Sequence, residues 1–243
     1  MVPPARPPTD AAGAAPAPAG RAPDTLALPA QTRVLLRWIG EGGLACRAQL
    51  ARRFWPAARY PRTAYQHLYR LVRQGYLLTT GYDLHGRHHD LYVLTAAGRA
   101  ALGVASPFVR IGWPPPREWP HLLAGQEVRR HLEQRLAAAG RGGAIRAWRT
   151  DYQLRHLPLP ARDQTAIADI QMDWQRTATS APETVLIEID GAYFGQMLAT
   201  KVAAYAASAT RVLWVCPPHR MARLRRAVAG YPHIEILPLE FPC

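Results

Sequence analysis

The sequence predicts a mixed α/β chain, α+β overall: a small helix-rich unit followed by a larger one built on a central mixed sheet. Apolar residues recur at helical spacing three times between residues 32 and 75 and are followed by two alternating strand-like runs. The second half reads helix, strand, strand, strand, helix, strand, helix, strand (αβββαβαβ), which is not a repeated βαβ winding. Against a typical domain of roughly 150 residues, a chain of 243 residues that is 49% hydrophobic suits one large or two small domains, with enough apolar material for cores.

Residues 1–28 are mostly Pro, Ala and Gly with almost no large apolar side chains, so they read as a disordered tail. The first helix carries Val34, Leu35, Trp38 and Ile39 and stops at Gly42-Gly43. A second spans Arg47 to Phe54 and ends before Pro56. A third starts at Pro61, with Tyr65, Leu68, Leu71 and Val72 on one face, and breaks at Gly75. Tyr76 to Tyr82 and Asp90 to Leu94 read as strands around a polar turn, Asp83 to His89. A short helix, Thr95 to Leu102, follows with Thr95 as its N-cap.

Three helices and a hairpin are the order of a winged helix-turn-helix, here residues 29–105, and Tyr92 to Leu102 resembles the stretch leaving the wing in bacterial regulators of that type. Residues 106–120, rich in proline, read as a stiff linker to a second domain over 121–243. There His121 to Ala139 is a helix, Ala144 to Trp148 a strand, and a polar loop leads to strands Thr165–Trp174 and Thr184–Asp190. Gly195 to Ala207 is a helix, Arg211 to Cys216 a buried strand, His219 to Ala229 a helix and His233 to Leu237 a final strand.

Charge narrows the function. Thirty Lys and Arg against seventeen Asp and Glu give +13 and a sequence pI of about 10.5, a balance that favours a polyanionic partner over a merely soluble basic surface. Double-stranded DNA is the simplest such partner. The segment Gln31 to Ala105 holds eleven arginines and three acids. On the third helix Arg62, Thr63, Gln66, Tyr69 and Arg70 lie off the apolar stripe, where Arg and Gln can read base edges, while Arg59 in the preceding turn suits a phosphate. His85, Arg87, His88 and His89 at the wing tip suit groove or phosphate contact better than a zinc site.

Other classes are excluded. No apolar run approaches the roughly 18 residues of a membrane span, and the start lacks the apolar core of a secretory signal, so a cytoplasmic protein without a membrane partner is expected. Three scattered cysteines, Cys46, Cys216 and Cys243, form no disulfide framework or zinc ribbon. No G-x4-G-K-[ST] loop is present, so no nucleotide cofactor is expected.

Chemistry concentrates in the second domain. Asp169 lies in one strand, Glu188 and Asp190 lie two apart in the next and so point to one face, and Lys201 follows on a helix with Tyr205 one turn on. Carboxylates converging from neighbouring strands suit Mg²⁺ or Mn²⁺, and a lysine there can steady an attacking water. The bland reading is a structural ion pair with Arg129, Arg211 or Lys201. Lys201 stands out as one lysine among 29 arginines: a site needing a compact ammonium resists replacement by guanidinium.

The series Asp169 … Glu188-Ile189-Asp190 … Lys201 resembles the restriction-endonuclease-like PD-(D/E)XK fold. A winged helix followed by His121, Glu127, a Trp strand, an Asp strand and IEIDGAYFGQMLATKVAAY is similar to the replication-relaxation family of plasmid and mobile-element proteins. The resemblance covers about Leu28 to Pro238. It implies Asp169 and Glu188 as metal-binding acids, with Asp190 standing where a lysine is usual, Lys201 supplying the amine from the helix, and Glu127 as an additional acid. Ala168 stands where proline would precede the first acid.

The implied function is double-stranded-DNA binding in plasmid or mobile-element replication or mobilisation, with Mg²⁺-dependent nicking by Asp169, Glu188, Asp190 and Lys201. The alternative is a non-enzymatic transcription regulator whose second domain serves as a homodimer interface or an added DNA contact. Tyrosine-based strand transfer is disfavoured: His88-His89 is not a relaxase histidine pair, although Tyr193 and Tyr205 lie near the acids.

Overall fold

The structure, a computed structural model, describes residues 28–56, 62–84, 86–103, 109–140, 142–156, 168–191, 193–208 and 210–241. The expected tail, Arg59, Pro61, His85, part of the linker and the start of the Thr165 strand lie outside these residues.

Helix α1 (Ala30–Gly42) ends where Gly43 takes a left-handed φ of 78°. Its buried stripe is Thr32, Leu35, Leu36, Ile39 and Gly42, with Trp38 beside it. Val34, expected inside, is 52% exposed because it falls outside that i, i+3, i+4, i+7 stripe. Strand β1 (Ala45–Cys46), too short to show periodicity, leads into α2 (Arg47–Phe54). In α3 (Arg62–Arg73) the buried positions are Ala64, Leu68 and Leu71, and Tyr65 turns outward.

Strands β2 (Leu77–Leu84) and β3 (Arg87–Leu94) run closer to the tip than expected. Asp83, Arg87, His88 and His89, read as turn residues, sit in the antiparallel ladder, where Asp83 pairs with His88 and Leu84 with Arg87. Polar residues are tolerated there because this end of the hairpin is open to water: Asp83, Arg87 and His88 are exposed. The sheet order is β1-β3-β2. Helix α4 (Ala96–Ala101) follows, and the Thr95 hydroxyl accepts from the Gly98 amide as an N-cap.

The segment before the second unit packs on the first: the Arg110 amide donates to Gly40 (2.8 Å) and the Gly112 amide to Leu94 (2.8 Å). Helix α5 (Trp119–Ala138) opens the larger unit. It continues through β4 (Ala144–Thr150), α6 (Asp151–His156), β5 (Ile170–Gln175), β6 (Glu183–Ile189), α7 (Gly195–Ala206), β7 (Arg211–Cys216), α8 (Met221–Ala227) and β8 (Ile234–Pro238). The five strands lie in sequence order, antiparallel from β4 to β6 and parallel from β6 to β8.

This is the expected αβββαβαβ order and mixed sheet, with α6 added in the expected loop. No apolar pattern marks α6. Its Gln153 is held from outside the helix, accepting from the Thr150 hydroxyl (2.5 Å) and donating to the Glu41 carbonyl (3.0 Å). Both sheet faces are covered. Ala124, Val128 and Leu132 of α5 pack on Ile170, Met172 and Ile187, while Leu198, Val202 and Tyr205 of α7 pack on Val212 and Trp214 with Leu224 of α8.

The two units also touch directly. Gln49 of α2 donates to the Leu123 carbonyl (2.7 Å) and Gln126 of α5 to Trp38 (3.0 Å). Arg129 pairs with Glu41 at 2.7 Å, Arg52 with Glu127 at 3.1 Å, and Arg53 with Glu133.

Candidate functional site

The acids gather where β5 begins and β6 ends, on the α7 side of the sheet. Asp169 precedes the first residue of β5 rather than lying within it, and its Oδ2 accepts the Ile189 amide at 2.7 Å. Glu188, wholly buried near the end of β6, accepts from Lys201 Nζ at 2.6 Å on one oxygen and from the Tyr205 hydroxyl at 2.5 Å on the other. Lys201 and Tyr205 reach one carboxylate because they lie one helical turn apart on α7. The Lys201 ammonium also lies 5.2 Å from the centre of the Tyr193 ring.

Asp190 does not join them. Its side chain is fully buried against Arg220, whose guanidinium also donates to the Tyr193 carbonyl at 2.8 Å. Glu127 is likewise taken elsewhere, by Arg52 and Arg130. Into the cluster comes His121 instead, with Nε2 3.0 Å from Asp169 Oδ1.

Burial raises the Glu188 carboxyl above its ordinary range, and the nearby Asp169 charge adds to this against the opposing pull of Lys201 and Tyr205. Burial alone would lower the His121 pKa; contact with Asp169 and the charges of Asp169, Glu188 and Asp151 outweigh it and raise the net value. Burial and the Glu188 charge push the Tyr193 and Tyr205 phenols upward, so neither is poised as a tyrosinate nucleophile.

Asp169 and Glu188 offer the hard oxygen donors that Mg²⁺ or Mn²⁺ prefers, but their arrangement does not fit such an ion. Three of the four carboxylate oxygens already accept a hydrogen bond, one of them from the Lys201 ammonium, and His121 Nε2 lies 3.0 Å from the fourth without the geometry of a hydrogen bond. A divalent ion would have to displace His121 and Lys201. Among the described residues no group of three or more His, Cys, Asp or Glu is set to hold a metal.

The other expected surface is on α3. Arg62, Thr63, Gln66 and Arg70 are all exposed, as are Tyr69 and Arg73, and the helix carries no acid. Arg87 and His88 are exposed on β3, where His88 Nδ1 contacts Asp83 at 3.0 Å. No helix among the described residues is long and apolar enough to cross a membrane.

The sequence profile of the replication-relaxation family matches residues 36–215, about three-quarters of the chain. The chain belongs to the replication-relaxation family. No curated protein and no solved structure gives a match. The matched span of this replication-relaxation protein runs from α1 through β7 and so includes α3 and every residue of the acidic cluster.

Residue reasoning missed His121 as a site group and Arg220 as the partner of Asp190. His121 was visible only as the partner of Glu127 in a family pattern. At 100° per residue, six positions place the two about 120° apart around α5, so they face different neighbours. Arg220 had no local signal, because it reaches Asp190 across 30 residues of sequence.

Proposed function

We propose that this replication-relaxation protein binds double-stranded DNA in the replication or mobilisation of a plasmid or mobile element, with the first unit acting as a winged helix-turn-helix. The observation that carries the reading is the outer surface of α3, where Arg62, Gln66, Arg70 and Arg73 are exposed on a helix without a single acid. A recognition helix needs polar and basic side chains facing the groove and an apolar back to pack on, here Ala64, Leu68 and Leu71. The β2–β3 hairpin, with Arg87 and His88 outward, suits the wing, and Arg59 and His85 complete the proposed contacts. Binding of the full chain to random-sequence duplex should weaken steeply with salt, and absence of binding at low salt removes the reading.

A second reading, Mg²⁺- or Mn²⁺-dependent nicking by an endonuclease-like second unit, draws on one observation. Asp169, just before β5, comes close to Glu188 of the neighbouring β6, with Lys201 2.6 Å from Glu188. In this reading Asp190 supports the site through Arg220. The arrangement favours the non-enzymatic reading, because the acids are already balanced by the chain's own groups. Incubating supercoiled plasmid with the protein and Mg²⁺ or Mn²⁺, against a chelator control, separates the two. Metal-dependent conversion to open circle that Asp169→Asn abolishes would establish the nickase.

A further inference from the structure

Tyr65 and Tyr69 of α3 are 48% and 53% exposed, although each is large enough to serve a core. They stack on each other with ring centres 6.1 Å apart and planes 15° from parallel. The pair is supported from behind. The Arg47 guanidinium lies 5.9 Å from the Tyr65 ring centre, and Arg47 is itself tied to Asp90 of β3 at 2.7 Å. A chain of contacts therefore runs from the hairpin through α2 to the outer face of α3.

At 100° per residue the exposed residues of α3 cover an arc of about 160°. Tyr65 and Tyr69 form one edge of it, Arg62, Gln66 and Arg73 the middle, and Thr63 and Arg70 the other edge. Basic and amide groups thus lie beside an ordered apolar ridge on one helix face.

We infer that Tyr65 and Tyr69 are specificity residues that read thymine 5-methyl groups in the DNA major groove. The inference rests on the proposed DNA binding and adds to it the base feature that is recognised. The major-groove edge of thymine carries a methyl that favours apolar contact, next to acceptors that suit Arg and Gln. Phosphate attraction alone would not require two ordered rings in water. A pair held by Arg47 meets the methyl without losing side-chain freedom on binding, which sharpens discrimination.

The test uses the full chain and a duplex selected by it from a random-sequence library. Each thymine of that duplex is replaced in turn by deoxyuridine, which removes only the methyl. Wild type should lose about three- to fivefold in affinity at one or two positions, the scale of one buried methyl group. The double variant Tyr65→Ala/Tyr69→Ala should bind thymine and uracil duplexes equally, whatever its overall affinity, while binding to random duplex stays salt-dependent. Tyr69→Phe should retain the discrimination.

No sensitive position in the wild type, or discrimination surviving in the double variant, overturns the inference while leaving DNA binding intact. Failure of wild type to bind any duplex overturns both together.

Discussion

The two units use charge in opposite ways. On α3 the arginines point outward with no acid on the same helix. Around β5 and β6 the acids point inward, and each is matched by the chain itself: Glu188 by Lys201 and Tyr205, Asp169 by His121, Asp190 by Arg220. Unmatched charge on a surface is available to a polyanion, whereas matched charge in a core contributes to folding and is largely hidden from partners. A carboxylate cluster in a strongly basic chain is therefore not by itself a catalytic centre. Its neighbours decide what it can do.

The largest effect should come from breaking an inward pair. Glu188→Ala leaves the buried Tyr205 hydroxyl without an acceptor and Lys201 without a counter-charge, and should cost about 3–5 kcal/mol of stability, read as a fall in denaturation midpoint. The isosteric Glu188→Gln keeps an acceptor and should cost about 1 kcal/mol. If the folded variant binds random duplex markedly more weakly than wild type, the separation of roles fails.

Outward charges should behave the other way round. Arg62→Ala and Arg70→Ala should each weaken binding to a selected duplex by about 1–3 kcal/mol if they read bases, and should leave the melting temperature nearly unchanged. Equal loss on every sequence, with the slope of log K against log salt reduced by about one, would make them phosphate contacts.

The smallest effect is a matter of pH. The folded pKa of His121 is raised above its ordinary value of 6.5. Its contribution to stability is fully present below about pH 6.5 and disappears as pH rises through the folded value. The stability difference between wild type and His121→Gln should therefore shrink from pH 6 to pH 9. A difference that grows over this range would mean that His121 is held neutral.

Much of the fold was legible because its elements carry their own pattern. The limits of α2 and β7 follow from apolar spacing and terminal signals, and α7 falls within one residue of its expected end. Elements that depend on distant partners were not legible: two-residue β1 exists by pairing with β3, and α6 is tied to Glu41 through Gln153. Tyr65 was misplaced because an aromatic at helical spacing reads as core, and only packing shows that Ala64 holds the inward position. At the acidic cluster, Glu188 and Lys201 could be associated from sequence. His121 could not be matched to Asp169, because that proximity is created by α5 lying against the sheet.

The end of α1 has a consequence for how the protein is made. Two carbonyls in its last turns, those of Trp38 and Glu41, accept from the amides of Gln126 and Gln153, which follow 88 and 112 residues later in the chain. During synthesis α1 is translated long before these amides, so until then the Glu41 carbonyl, one of the four that the helix end leaves unpaired, is open to water. The first unit can begin to fold on the ribosome, but it reaches its final form only after the ribosome has passed residue 153. Translation that stops early would release a first unit whose first helix lacks both of these contacts.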